Sequence, residues 1–290
     1  MSTASIETAN KVRAIGREIL PAVMPSQELY AGQHETEPYQ GVKVTRDAKY
    51  GPHERNRLDV FAAEGASGTR PIFVFVHGGG FVMGDKHQPG SPYLDNIALW
   101  AARHGMVGVN ITYRLAPEFQ FPSGAEDLAL AVRWAREHAN EFGGDPQRIF
   151  VMGTSAGAVH VADFIAQPQF AADRSGVKGA ILLSGIYDVT FGGAPPAPAY
   201  YGDDASTHAA KSSLPGLIES DIPIMFVVTE FDPEPFERQA QRVLEKWTER
   251  HGSWPFFLRL MGHNHLTSTF HLNTDDDYLG VQMLRFIQGA

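Results

Sequence analysis

Short apolar runs alternate with longer amphipathic segments from about residue 57 onward. Runs that are apolar throughout are typical of strands buried on both faces of a parallel sheet. The segments between them have the spacing of helices that cover such a sheet. The pattern therefore predicts an α/β fold with a doubly wound, mostly parallel sheet. The predicted strands are 58–61, 72–76, 107–111, 149–152, 180–183, 222–228 and 256–260, and the predicted helices are 94–104, 125–142, 156–166, 236–251 and 276–287.

Two segments fall outside this alternation. Residues 1–55 contain one predicted helix near 8–22, which Pro21 should end, followed by a loop that includes Pro25. Residues 187–220 are rich in Gly, Pro, Ala and Tyr. Ligands bind beyond the carboxyl ends of the strands in folds of this kind. We therefore expect both segments to form a small cap over that edge of a single domain.

The composition narrows the range of functions. The chain has 290 residues, 43% of them hydrophobic, which excludes a disordered chain. It has no cysteine, which excludes disulfides, thiolate metal sites and a cysteine nucleophile. Its formal charge of −9 without any basic run argues against nucleic acid or an anionic membrane as a partner. The N-terminal residues lack the apolar stretch of a signal peptide, so a soluble cytoplasmic protein is expected.

A serine flanked by glycines lies between a predicted strand and a predicted helix. Gly153 and Gly157 stand two residues on either side of Ser155. This is the context of a nucleophile elbow, in which a tight turn exposes the serine Oγ and a Cβ at either glycine would strike neighbouring backbone. An ordinary glycine-rich turn is the alternative. The position between strand and helix favours the nucleophile.

A histidine and three glycines, residues 77–80, follow the strand predicted at 72–76. The backbone N–H groups of such a run are unshielded and can stabilise an oxyanion if they converge on it. A phosphate-binding loop is the alternative, but that loop ends in Gly-Lys-Ser/Thr. Phe81 follows here, so phosphate is not favoured.

Further motifs lie between the glycine loop and the serine. They are Tyr113–Glu118, Phe121–Pro122, Asp127, Arg133–Trp134 and Gly143–Ile149. Together with the loop and the serine turn, they make residues 71–165 resemble the hormone-sensitive-lipase branch of the α/β-hydrolase esterases. The resemblance implies an eight-stranded sheet flanked by helices, a Ser-Asp-His triad and hydrolysis of carboxylic esters. It also implies that no cofactor or metal is needed, and that a homodimer can form through an edge strand.

The resemblance also assigns the oxyanion hole to backbone N–H groups. By that match the donors are Gly79, Gly80 and Ala156, with Gly78 as a further contributor. The turn departs from the branch, because Thr154 stands where an aspartate is usual and Ala158 where a third glycine is usual. In these features the turn is more similar to small carboxylesterases and kynurenine-formamidase-like relatives. The departures affect the expected substrate rather than the chemistry.

A serine hydroxyl needs a neighbouring base and an acid that orients the base, in the chain order Ser, acid, His. Asp232 follows the strand predicted at 222–228, and it matches the family's Asp-Pro at this point. Glu230 is the competing acid, and a helix N-cap is the alternative role of Asp232. His265 and His263 both follow the strand predicted at 256–260. The family pattern of Gly, two residues, then His selects His265, and His263 is its rival.

Other polar residues are expected to be structural. We expect His77 to hold the glycine loop, His160 to pack on its helix and His271 to lie at the surface. The acidic run 275–277 lacks the spacing of a calcium loop, so we expect it to cap the last helix and not to bind a metal.

These motifs together predict a serine carboxylesterase that hydrolyses short to medium esters through an acyl-enzyme. Arylformamidase-type amide hydrolysis with the same triad is the alternative, and a non-catalytic binding protein with this fold is a third candidate. The partner is then a small-molecule ester. Aromatic and apolar residues that we expect to line its pocket are Phe81, Met83, Tyr187, Phe191, Tyr200 and Tyr201.

Overall fold

The computed structural model describes residues 6–191 and 197–290. Residues 1–5 and 192–196, which belong to the two predicted cap segments, lie outside the described residues. The strands are β1 (Val42–Lys49), β2 (Arg57–Ala63), β3 (Arg70–Val76), β4 (Val107–Ile111), β5 (Gly144–Thr154), β6 (Val177–Leu183), β7 (Ile224–Phe231) and β8 (Phe256–Asn264). The helices are α1 (Ile6–Ile15), α2 (Ile19–Ala31), α3 (Asp95–Arg103), α4 (Ser123–Glu137), α5 (Ala156–Ala166), α6 (Pro198–Tyr201), α7 (Leu214–Ile218), α8 (Glu234–His251), α9 (Thr267–Phe270) and α10 (Tyr278–Gly289).

The eight strands form one sheet in the order β1-β2-β4-β3-β5-β6-β7-β8. β2 pairs antiparallel with both β1 and β4, and the pairings from β4 through β3 to β8 are all parallel. The parallel strands therefore end at one edge, where β5, β6, β7 and β8 follow one another in space. This mostly parallel sheet flanked by helices confirms the predicted fold class.

Strand β3 shows why the central strands are apolar throughout. Ile72 and Val74 belong to a core cluster that includes residues of α4, α5 and α7. Phe73 and Phe75 belong to the cluster on the other face, with residues of α3 and α10. Side chains alternate between the faces of a sheet, so covering both faces with helices requires an apolar residue at every position.

The N-terminal segment differs from the predicted single helix. Two helices occur, and Pro21 lies in the first turn of α2 instead of ending a helix, because that turn has no intrahelical N–H bonds to lose. Pro25 lies inside α2 and not in a loop. Ala22, Ser26 and Tyr30 are buried at four-residue spacing on one face of α2. Burial of this face outweighs the unfavourable propensity of Pro25.

Strand β1 was not predicted. Apart from Val42, its residues are partly or fully exposed, and its sequence lacks the continuous apolar run that identifies the inner strands. Pairing with β2 holds it in the sheet. Among the described residues, no helix is long and apolar enough to cross a membrane.

Candidate active site

Ser155 occupies the turn between β5 and α5 in a strained conformation, with φ 54° and ψ −121°. A Cβ on Gly153 would lie 2.2 Å from the Gly157 carbonyl oxygen, and a Cβ on Gly157 would lie 2.1 Å from the Val76 oxygen. Both glycines are therefore required by close backbone contacts. The Ser155 N–H donates to the Leu183 oxygen at 2.9 Å, which fixes the turn to the end of β6.

The glycine loop after β3 lies directly against this serine. A Cβ built on Gly78 would lie 3.1 Å from the Ser155 Cβ. Gly79 has φ +124°, a conformation that only glycine adopts without strain. The Tyr113 hydroxyl donates to the carbonyl oxygens of His77 at 3.0 Å and Gly78 at 3.3 Å. Tyr113 thus orients the loop, and its ring also stacks on that of His77, with the ring centroids 4.3 Å apart.

His77 itself is buried within the loop. Burial lowers its pKa to about 4, so the ring is neutral near pH 7. Its Nδ1 lies 2.6 Å from the Gly78 oxygen. Gly84 packs so closely on the ring that a Cβ there would lie 2.4 Å from Nδ1. These contacts are those of a residue that shapes the loop.

Asp232 and His265 are the first residues after β7 and β8. Phe231 and Asn264 are register partners in these paired strands, so the residues that follow them are neighbours. His265 Nδ1 lies 2.6 Å from Asp232 Oδ1. Both residues are buried, and Phe236 packs on the imidazole at 4.4 Å. His265 Nε2 makes no hydrogen bond among the described residues, which leaves it available to a reacting group.

The second carboxylate oxygen of Asp232 also accepts hydrogen bonds. Oδ2 accepts hydrogen bonds from the Ser184 hydroxyl and from the Thr229 N–H, each at 2.6 Å. Ser184 comes directly after β6, and sequence reasoning missed it. The signal available was a polar residue ending an apolar run at the sheet edge that already carries Ser155 and His265.

Glu230 and His263, the alternatives to Asp232 and His265, contact other residues. Glu230 Oε2 accepts from the Gly262 N–H at 2.8 Å, and its Oε1 lies 3.7 Å from Arg13. His263 Nε2 lies 3.2 Å from Asp276 Oδ2. The structure therefore separates the two histidines of the β8 end and pairs each with a different aspartate.

Three of the six predicted pocket residues lie together, and the other three lie elsewhere. Phe81, Tyr200 and Tyr201 form a buried cluster with Ala156 and Val159 of α5, next to the glycine loop and the serine. The ring of Phe81 lies parallel to that of Tyr200 at 4.4 Å.

The other three residues do not join this cluster. Met83 is 57% exposed. Tyr187 packs in the core against Phe226, and its hydroxyl accepts from the Gly185 N–H. Phe191 contacts the Arg242 guanidinium on α8 at 4.8 Å.

Among the remaining polar residues, His160 is buried on α5 beside Tyr113 and Tyr200, as expected. One other prediction is wrong. His271 is fully buried rather than at the surface, because its Nδ1 turns inward to the Thr267 oxygen at 2.7 Å. The acidic run does lie at the start of α10, where Asp277 is the N-cap residue, and the Asp276 carboxylate lies 3.2 Å from His263 in the interior.

Known proteins resemble this chain in sequence and in fold. A family model described as the alpha/beta hydrolase fold matches residues 73–214. The chain is 31% identical over 155 residues to a probable carboxylic ester hydrolase, LipM, of Mycobacterium tuberculosis, covering 50% of this chain and 35% of that protein. It is 30% identical over 195 residues to esterase LipQ of the same organism, covering 63% of this chain and 42% of that protein. The chain thus spans less than half the length of these curated relatives.

A solved structure extends the likeness to the whole fold. Esterase B from Lactobacillus rhamnosis superposes with a TM-score of 0.73, covering 98% of this chain and 95% of that chain at 16% identity. At that identity the likeness concerns the fold alone. The chain therefore has the α/β-hydrolase fold, and the relatives named above are esterases. These findings confirm the fold class and the resemblance stated from the motifs.

Proposed function

We propose that this protein is a serine carboxylesterase in which Ser155 is the nucleophile, His265 the base and Asp232 the orienting acid. The observation that carries the proposal is the convergence of three strand ends on one edge: a strained serine after β5, and a buried histidine–aspartate pair after β7 and β8. A serine at a strained turn, on the sheet edge that also carries a histidine–aspartate pair, is the arrangement that activates a hydroxyl for acyl transfer.

In the proposed reaction, His265 Nε2 removes the proton of Ser155 Oγ as this oxygen attacks the ester carbonyl. Asp232 Oδ1 accepts a hydrogen bond from the Nδ1–H of His265, which fixes the tautomer and stabilises the imidazolium. The leaving alcohol takes the proton from Nε2. Water then repeats the sequence on the acyl-enzyme and releases the acid.

The oxyanion is stabilised by the backbone N–H groups of Gly79, Gly80 and Ala156. Ala156 is the first residue of α5, so the positive end of the helix macrodipole favours negative charge there. The proximity of Gly78 to Ser155 supports the position of the loop. Fixed donors of this kind typically contribute ~3–4 kcal/mol of transition-state stabilisation each.

We assign the acyl or alcohol pocket to Phe81, Tyr200 and Tyr201. They are aromatic, they belong to one cluster with Ala156, and Tyr200 and Tyr201 come from the predicted cap segment 187–220. A small aromatic wall of this kind suits short to medium ester groups and not long acyl chains. The esterase names of the sequence relatives favour an ester over an amide substrate.

The test is labelling with a fluorophosphonate probe, combined with turnover of p-nitrophenyl esters of increasing chain length and of an N-formyl anilide. The wild type should be labelled and should prefer short or medium esters over the formyl anilide. Ser155→Ala should lose labelling and about a millionfold in kcat. Ser175→Ala, which alters an exposed serine, is the matched control. Wild-type turnover by Ser155→Ala would refute the assignment, and preference for the anilide would change the substrate to an amide.

A further inference from the structure

A second cluster of chemistry-bearing side chains lies behind the end of β8. His263, His271, Asp276 and Tyr30 come from β8, the turn after α9, the loop before α10 and α2. All four are buried, and His271 and Tyr30 are fully so. One ligand atom from each of the two histidines and the aspartate lies within 4.8 Å of the others. The esterase mechanism uses none of these residues.

The polar atoms of this cluster are incompletely satisfied. His271 Nε2 is fully buried and makes no hydrogen bond among the described residues. The Asp276 carboxylate lies near His263 Nε2 at 3.2 Å, the Tyr30 hydroxyl and the Tyr278 N–H, but none of these contacts has good hydrogen-bond alignment. Buried polar groups without partners are rare, and several in one place indicate that another group completes the site.

The ring of His271 is oriented as a metal-binding imidazole would be. Its Nδ1 lies 2.7 Å from the Thr267 carbonyl oxygen, so the proton belongs on Nδ1 and the lone pair on Nε2. A backbone carbonyl that orients the distal nitrogen is the usual outer partner of a metal-binding histidine.

We propose that His263, His271 and Asp276 form a binding site for a divalent transition-metal ion of the zinc class. Two imidazoles and one carboxylate suit Zn²⁺, whereas Ca²⁺ and Mg²⁺ prefer sites built from oxygen ligands. Ligands of tetrahedral zinc at 2.0–2.1 Å from the ion are about 3.3 Å apart. The 3.2 Å contact already has that spacing, and the remaining separations of up to 4.8 Å close by small side-chain rotations.

The ion can reach this cluster from outside. A cavity of about 490 Å³ is lined by His263 and Asp276, and by Arg13, Glu230 and Met261. Met261 is exposed, so the cavity adjoins the surface. The cavity side of the cluster provides room for a water molecule as the fourth ligand. The Tyr30 hydroxyl, whose pKa is raised by burial and by the charge of Asp276, is neutral and can donate to that carboxylate.

A bound ion would restrain the segment that contains His265. His263 lies two residues before it, and His271 is bonded to Thr267 just after it. An ion held by both histidines would tie the two ends of this segment together. Metal binding itself does not depend on the proposed esterase activity, so the two proposals can fail separately.

The experiment uses untagged full-length protein, freed of metal with a chelator and dialysed against buffered Zn²⁺. We expect one zinc per chain by metal analysis, and a higher Tm with Zn²⁺ than with Mg²⁺. His271→Gln and Asp276→Asn should weaken zinc binding at least about tenfold. His104→Asn, which removes an exposed histidine, and His265→Asn, which alters the proposed catalytic pair, should bind zinc as the wild type does.

Absence of zinc from the wild type would overturn the proposal. Equal binding by wild type, His271→Gln and Asp276→Asn would do the same, because the ion would then be adventitious. Loss of zinc in His265→Asn alone would place it at the Ser155 site and also overturn the proposal. If the two cluster variants do not fold, Co²⁺ bound to wild type decides: an intense tetrahedral visible spectrum supports the site, and a weak six-coordinate spectrum contradicts it.

Discussion

Two histidine–aspartate pairs lie at the end of β8, and they differ in what surrounds them. His265 and Asp232 lie at the edge that carries Ser155, and the spare oxygen of Asp232 is held by two hydrogen bonds. His263 and Asp276 lie behind that edge, where Asp276 Oδ2 is 3.2 Å from His263 Nε2 and the carboxylate lies near the Tyr30 hydroxyl. The same residue types two positions apart are therefore directed to different chemistry by their neighbours.

The sharpest test of this difference is to remove each histidine in turn. His265→Ala should reduce kcat by about a millionfold, because Ser155 would lose its base. His263→Asn should stay within about tenfold of wild-type kcat, but it leaves Asp276 buried without its partner and should cost about 3–5 kcal/mol of stability. Steady-state kinetics and urea unfolding of both variants measure the contrast. The reverse pattern would identify His263 as the base.

The two aspartates give the next largest contrast. Asp232→Asn should lower kcat by about ten-thousandfold, since an amide cannot fix the histidine tautomer or stabilise the imidazolium. Asp276→Asn keeps the shape of the side chain and should change kcat less than tenfold. Rates at saturating p-nitrophenyl ester provide the comparison. Similar losses in both variants would contradict the separation of the pairs.

Ser184→Ala tests whether the second oxygen of Asp232 needs its hydroxyl donor. The substitution removes a hydrogen bond of 2.6 Å to a buried carboxylate, and such bonds to charged groups contribute about 1.5–3 kcal/mol. We expect kcat/KM to fall about tenfold or more, with the Thr229 N–H retained. Ser206→Ala removes a hydroxyl bond of the same length to Asp204 on the surface and is the control. An unchanged rate in Ser184→Ala would show that this contact does not position the pair.

A third buried carboxyl, Asp163 of α5, has no histidine partner and no hydrogen bond among the described residues. Burial raises its pKa well above the ordinary value. Between the unfolded pKa near 4 and the raised folded pKa, the unfolded chain releases a proton that the folded chain keeps. As pH rises through that window, the free energy of unfolding of the wild type should therefore fall by about 1.4 kcal/mol per pH unit because of this group alone.

Asp163→Asn removes that group, so its advantage in unfolding free energy over wild type should grow as pH rises from 5 to 7. Urea unfolding at several pH values measures the slope. Asp221→Asn, at an exposed position, is the control and should run parallel to wild type. Parallel curves for Asp163→Asn as well would show that the carboxyl is ionised in the folded protein.

Much of the fold could be predicted because the inner strands are covered on both faces, which leaves a continuous apolar run in β3 and a fully buried stretch in β4. The edge strand β1 has no such signal, and its place depends on pairing with β2. Helix α2 was mispredicted for a similar reason. Its two prolines oppose a helix locally, and only the burial of Tyr30 and its neighbours on one face explains why the helix forms.

The sequence by itself determined the serine turn and the glycine loop, because backbone contacts too close for a side chain leave glycine as the sole residue that fits at 153 and 157. It also placed two histidines after one strand and two acids after another. Only the tertiary structure decided which of them pair. The register that sets Phe231 beside Asn264 brings His265 against Asp232. Packing of the loop before α10 brings Asp276 against His263 of β8. Those partners meet through long-range packing, which local residue patterns do not encode.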